Sequence, residues 1–267
     1  MRTGYEWRVL RTLSALAVLL ASTAHSAEPT LVALCEDGAL VVFRPGETSA
    51  VRTLRPSGIA GPLVGIDRRP ADGKLYGLAG GTDVVTIDPA SGTTTVVSTL
   101  TVPFDGDLRS GFDFTPQLDR LRLVSANGRN VRVNVALGAT AVDQPLAYAA
   151  GDAHAGTRPR ITAAAYGNNR AGVATTTLFE LDADLDVLVV QDPANDGVLK
   201  TVGPVGMDVP ALAGFDNLTD DAGRDRAFAA WGQALYSIDL ATGRATSLGP
   251  IPGVSRAVIS LAILGSE

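Results

Sequence analysis

The sequence predicts an all-β fold, a β-propeller of five four-stranded blades closed by strands from both ends of the chain. Three observations predict it. A Gly-apolar-Asp triplet recurs as Gly65-Ile66-Asp67, Gly111-Phe112-Asp113 and Gly214-Phe215-Asp216. Short apolar segments separated by turn residues follow each triplet, and the units repeat with a period of about 50 residues, the pitch of a propeller blade. The two ends of the chain are partial repeats that complete one another.

The first 26 residues stand apart from this pattern. Arg2, Arg8 and Arg11 make a basic start, Leu13 to Ala21 is a short apolar run, and Ala24-His25-Ser26 offers small residues for cleavage. This is the pattern of a secretory signal peptide, and the run is too short for a permanent membrane anchor. The expected division is residues 1–26 as signal and residues 27–267 as one domain, exported to the periplasm or beyond, with no membrane insertion after cleavage.

In the mature chain, Leu31 to Leu34, Leu40 to Phe43 and Val51 to Leu54 read as strands two to four of a blade without a first strand. The next unit starts near Leu63 and continues through Leu75–Leu78, Val84–Ile87 and Thr93–Val97, with Ser91-Gly92 as the last turn. A second starts near Ser110 and continues through Leu121–Val124 and Val131–Asn134. The third lacks the triplet but keeps the rhythm: Ile161–Tyr166, Thr177–Leu181, Val187–Val190 and Leu199–Val202. A fourth starts near Leu212 and runs through Arg226–Ala229, Leu235–Ile238 and Arg244–Leu248. The tail Ala257–Ile263 is a first strand with nothing after it, so it completes the opening unit and leaves no open edge. Six blades, or two packed sheets, are the alternative architectures.

Several of these segments resemble the domain-of-unknown-function family 4394. They are Gly65-Ile66-Asp67 with Arg69-Pro70, Leu75-Tyr76-Gly77-Leu78, Gly111-Phe112-Asp113-Phe114, Ile161 to Tyr166, Asp192-Pro193 with Asn195-Asp196-Gly197 and Leu199, and Gly214-Phe215-Asp216. The resemblance covers nearly all of the mature chain, in order. It implies an exported bacterial protein with a propeller fold, and it carries over no catalytic residues.

Composition narrows the chemistry. Loss of residues 1–26 removes three Arg and one Glu, moving the formal net charge from −6 to −8. Nucleic acid is therefore not an expected partner, because it needs a basic footprint. The single Cys35, in Leu-Val-Ala-Leu-Cys, allows no internal disulfide and reads as a buried thiol. His154 is the only mature histidine, and no Gly-x-Ser-x-Gly elbow occurs, which argues against a Ser-His-Asp hydrolase and multi-histidine metal sites.

Carboxylates are the remaining reactive groups. Asp67, Asp113 and Asp216 recur on or just past the innermost strand, where they would converge on the channel and bind a hard cation, or each would cap its own turn. Turn capping is the expected role. Asp182, Asp184 and Asp186 alternate like the start of a calcium loop, but Val187 and Pro193 stand where that loop needs Gly and Glu, so a tight turn is expected. No cofactor is expected, calcium being the one candidate. Arg120, Arg122, Arg129 and Arg132 cluster around Asn127-Gly128; an Asp-paired blade face is expected, with an acidic ligand as the alternative. Trp231 is expected in the core. The expected function is a non-enzymatic scaffold binding a small molecule or a protein. The alternative is a cation-assisted hydrolase with its site at the channel.

Overall fold

The computed structural model describes Met1 and residues 28–265. The signal segment expected at 1–26 lies almost wholly outside the described residues.

Thr30–Cys35 (β1), Leu40–Phe43 (β2) and Arg52–Leu54 (β3) open the fold. The first complete blade is Leu63–Arg68 (β4), Leu75–Ala79 (β5), Asp83–Ile87 (β6) and Thr94–Thr99 (β7). The second is Ser110–Thr115 (β8), Arg120–Ser125 (β9), Asn130–Asn134 (β10) and Ala139–Val142 (β11). A two-residue strand, Ala147–Tyr148 (β12), precedes the third: Ile161–Tyr166 (β13), Leu178–Asp182 (β14), Val187–Gln191 (β15) and Val198–Pro204 (β16). The fourth is Ala213–Thr219 (β17), Asp225–Trp231 (β18), Ala234–Ile238 (β19) and Ala245–Pro250 (β20). Val258–Gly265 (β21) then pairs antiparallel with β1, giving the fifth sheet the order β21-β1-β2-β3. Five antiparallel sheets thus form a five-bladed propeller, closed by strands from both ends. A feature absent from the sequence pattern is β12, which adds in parallel to the outer strand β16.

The innermost strands β4, β8, β13, β17 and β21 ring the channel, each packed on the next. Their residues are almost uniformly buried because both sheet faces meet neighbouring blades, whereas the outer strand β7 is largely exposed. The triplet glycines mark the closest approaches. A Cβ on Gly65 would stand 2.6 Å from Phe112, one on Gly111 2.5 Å from the Ala164 methyl, and one on Gly214 2.6 Å from the Leu261 nitrogen. Only a residue without a side chain lets adjacent inner strands pack this tightly.

Between blades the core is aliphatic and aromatic. Phe112 and Phe114 pack with Tyr76, Leu121 and Leu123 between the first two complete blades. Trp231 is buried and stacks on Tyr236 with centroids 4.0 Å apart, as the core role requires. Cys35 is buried and free, and burial pushes its thiol up to about 11, which leaves it an inert apolar group.

Candidate functional site

The recurrent aspartates do not cap their own turns. That task falls to others: Asp88 accepts from the Ala90 N–H at 2.9 Å and Asp239 from Ala241 at 2.9 Å. Asp67 and Asp216 accept the N–H of the next residue of their own strand, Arg68 at 2.5 Å and Asn217 at 2.6 Å, and with the other oxygen Asp67 reaches the next blade and accepts the Phe114 N–H at 3.0 Å. Asp113 takes the Tyr166 N–H at 2.6 Å, and Asp216 that of Ile263 at 2.6 Å. An innermost strand has no sheet partner on its channel side, so its inward N–H groups need a foreign acceptor. Where the triplet is missing, Ser260 does similar work, its hydroxyl bonding both the N–H and the C=O of Ile66 at 3.1 Å.

This arrangement brings three carboxyl groups together across the channel. Burial pushes Asp67 up to about 6, and pushes Asp113 and Asp216 well above the usual carboxylate range, each raised further by the charge of Asp67. Asp67 and Asp113 lie within hydrogen-bond reach of one another, so the two carboxyls titrate as a pair. Asp67 and Asp216 form the floor of a cavity of about 240 Å³ at the channel mouth, beside Arg68 and Arg170. Among the described residues, no three His, Cys, Asp or Glu side chains are grouped to hold a metal ion.

The alternate acids at the end of β14 and in the turn after it serve separate structural tasks. Asp182 accepts from the Tyr148 hydroxyl at 2.8 Å and from three backbone N–H groups. Asp184 faces Arg160 at 3.5 Å, and Asp186 accepts the Val209 N–H at 2.7 Å. His154 sits in the loop before β13 with its ring against Tyr148.

A larger concavity, about 540 Å³, opens between the second and third complete blades. Alternation along β9 turns Arg120 and Arg122 to this face, and register places Arg132 directly opposite Arg122. Arg122 is the floor, its side chain only 3% exposed. One of its terminal nitrogens holds Asp143 and Asn130, both at 2.6 Å, and the other holds Asn195 at 2.8 Å. Arg132 binds the same Asp143 at 2.7 and 2.8 Å. Arg120, at the rim, donates to the backbone carbonyls of Leu118 and Asp119. Arg129 pairs instead with Asp105 at 2.6 Å, outside the cleft. The opposite wall is the segment Asp192–Asp196, whose Ala194 carbonyl accepts from Asn130 at 2.9 Å.

Two groups escaped the sequence reading. Glu180 faces Arg122 from β14, wholly buried, with neither oxygen hydrogen-bonded; burial pushes it up to about 8 against the pull of Arg122. Gln191 lines the cleft, 2% exposed. The one available signal was phase, since Glu180 lies two residues from Leu178 on the same, inward face of its strand.

A protein of unknown function from Bacteroides thetaiotaomicron VPI-5482 has a similar solved structure, with a TM-score of 0.50 and 16% identity over 87% of this chain. The chain spans 60% of the length of that protein, and the likeness shows the fold alone. A protein of unknown function from Bacteroides caccae matches at a TM-score of 0.41 and 10% identity, covering 82% of this chain and 72% of that one. No curated protein matches. The sequence matches the family described as Domain of unknown function (DUF4394) over residues 39–262, from the second strand of the closing blade to its innermost one. The cleft's Tyr166 and its Asp192–Asp196 wall fall among the segments that carry the resemblance, and the chain belongs to the DUF4394 family.

Proposed function

We propose that the protein is an exported, non-enzymatic binding module that takes a small anionic ligand in the cleft between the second and third complete blades. The observation that carries this reading is an imbalance of charge. Three guanidinium groups border the cleft, and among the described residues Asp143 is the one carboxylate within ion-pair distance of any of them. Of the acids in the lining, Asp192 is held by Lys200 at 2.8 Å, which leaves Asp196. A cleft of this size suits a small molecule, and Arg is the side chain best shaped for a carboxylate. The binding reading is preferred to a cation-assisted hydrolase because the channel carboxyls are already engaged by neighbouring N–H groups.

Calorimetric titration of residues 27–267 with small carboxylic acids should yield a saturable binder. Replacing Arg120 and Arg132 together by Ala should weaken it by roughly 10–100-fold, the worth of one or two charge-assisted hydrogen bonds. Binding that ignores the double substitution would place the ligand elsewhere.

Export rests on the basic-then-apolar start of the sequence. Terminal sequencing of protein from its native host should begin within a residue or two of Ala27; an intact Met1 would overturn the export reading.

A further inference from the structure

We infer that the ligand of this cleft is a polyhydroxylated carboxylate, a sugar acid, whose hydroxyl is read by Gln191 and Arg122 at the floor. The inference rests on the anion-binding reading above and adds the ligand's second half.

It starts from two unsatisfied groups. The Gln191 Nε2 donates to the Ala194 carbonyl, which can only accept, so the amide orientation is settled and the Oε1 remains an acceptor without a donor. Arg122 spends its terminal nitrogens on Asp143, Asn130 and Asn195, and its Nε–H remains a donor without an acceptor. Buried polar atoms are rarely left unpaired, because each one costs the hydrogen bonds it gave up in water. Both atoms are buried and belong to side chains that line the cleft.

The complementary chemistry is specific. A carboxylate only accepts and would leave the Gln191 oxygen unpaired; an ammonium only donates and would leave Arg122 unpaired and face its charge. A hydroxyl does both. Above the floor, Thr115, Thr176 and Thr177 continue the same uncharged donor-acceptor lining, and Arg120 at the rim supplies the cation for the acid. Glu180 beneath Arg122 is held toward its neutral form by burial, so it does not oppose an incoming anion.

The test is calorimetry of residues 27–267 with D-galacturonate, D-galactose and glutarate. Galacturonate should bind at least about tenfold tighter than either comparison, since each lacks one half of the recognised pattern. Gln191→Leu should cost galacturonate about tenfold and leave glutarate unchanged. If glutarate equals galacturonate, the anion site stands and the hydroxyl reading falls. If galactose equals galacturonate, or if no acid binds, the anion reading falls with it. Should the variant fold poorly, the selectivity of the native chain decides alone. A crystal structure soaked with galacturonate that shows only ordered water at Gln191 and Arg122 would also overturn the inference.

Discussion

Removal of residues 255–267 should abolish cooperative folding. The segment carries β21, which places Val258, Ile259, Leu261, Ala262 and Ile263 in the core and bonds β1 along its whole length. It also supplies the Ser260 hydroxyl to Ile66 and the Ile263 N–H to Asp216. Burial of a single large aliphatic side chain is worth about 2–5 kcal/mol against truncation, whereas a whole domain has only about 5–15 kcal/mol of net stability. Losing several such side chains together exceeds that reserve. Deletion would also bare β1 and the channel faces of β4 and β17, edges that invite association between chains. Thermal melting followed by circular dichroism, with size-exclusion chromatography, should show no sharp transition and an aggregated species. A truncated chain that melts like the full one would refute closure by the two ends.

The second large effect concerns the channel carboxyls. Asp113→Ala should destabilise the protein by roughly 2–4 kcal/mol, because it strands the Tyr166 N–H and leaves a void between packed inner strands. Asp113→Asn should be close to neutral at pH 7. Burial and the charges of Asp67 and Asp216 push this carboxyl well above the usual range, so an amide, which carries no charge, removes that repulsion while keeping an acceptor for the Tyr166 N–H. A large loss in Asp113→Asn would mean that the group is ionised in the folded protein.

The same physics sets the pH dependence. Asp67 rises from 3.8 unfolded to about 6 folded, and Glu180 from 4.5 to about 8. Between those values the folded state binds more protons than the unfolded state, so stability falls as pH rises. Asp113 and Asp216, raised further, prolong the fall. On the acid side, Asp119 is held low by Arg69 and loses that support on protonation, so stability declines again below about pH 4. The melting temperature should therefore peak near pH 4 and fall by several degrees toward pH 8, with a shallower slope in Asp113→Asn. A flat profile from pH 5 to 8 would contradict the upward shift of these buried carboxyls.

How far the site could be read from the chain follows from which interactions are local. Blade boundaries, the turns at Asp88 and Asp239 and the closing role of the tail are written in short-range alternation and turn chemistry, so they appear in the sequence. The Arg120-Arg122 face was legible too, because period two places alternate residues on one side of a strand; that Arg132 joins it and Arg129 does not was decided by strand register. The partners of that face were not. Asp143, Glu180, Gln191 and Asn195 reach it from a loop and a neighbouring blade, up to 73 positions away in the chain.

By itself, then, the sequence determined the repeat, the strand order within each blade and the need for both termini to complete a sheet. Hydrophobic alternation and turn residues act over a few neighbours and carry that information directly. The tertiary structure decided what the recurrent triplet does. Its glycine allows neighbouring inner strands to touch, and its aspartate crosses to the next blade, a contact made 47 residues later in the chain for Asp67 and for Asp216. It also decided where a ligand can sit, because a cleft between blades exists only once two sheets are packed and their unpaired polar atoms face the same space.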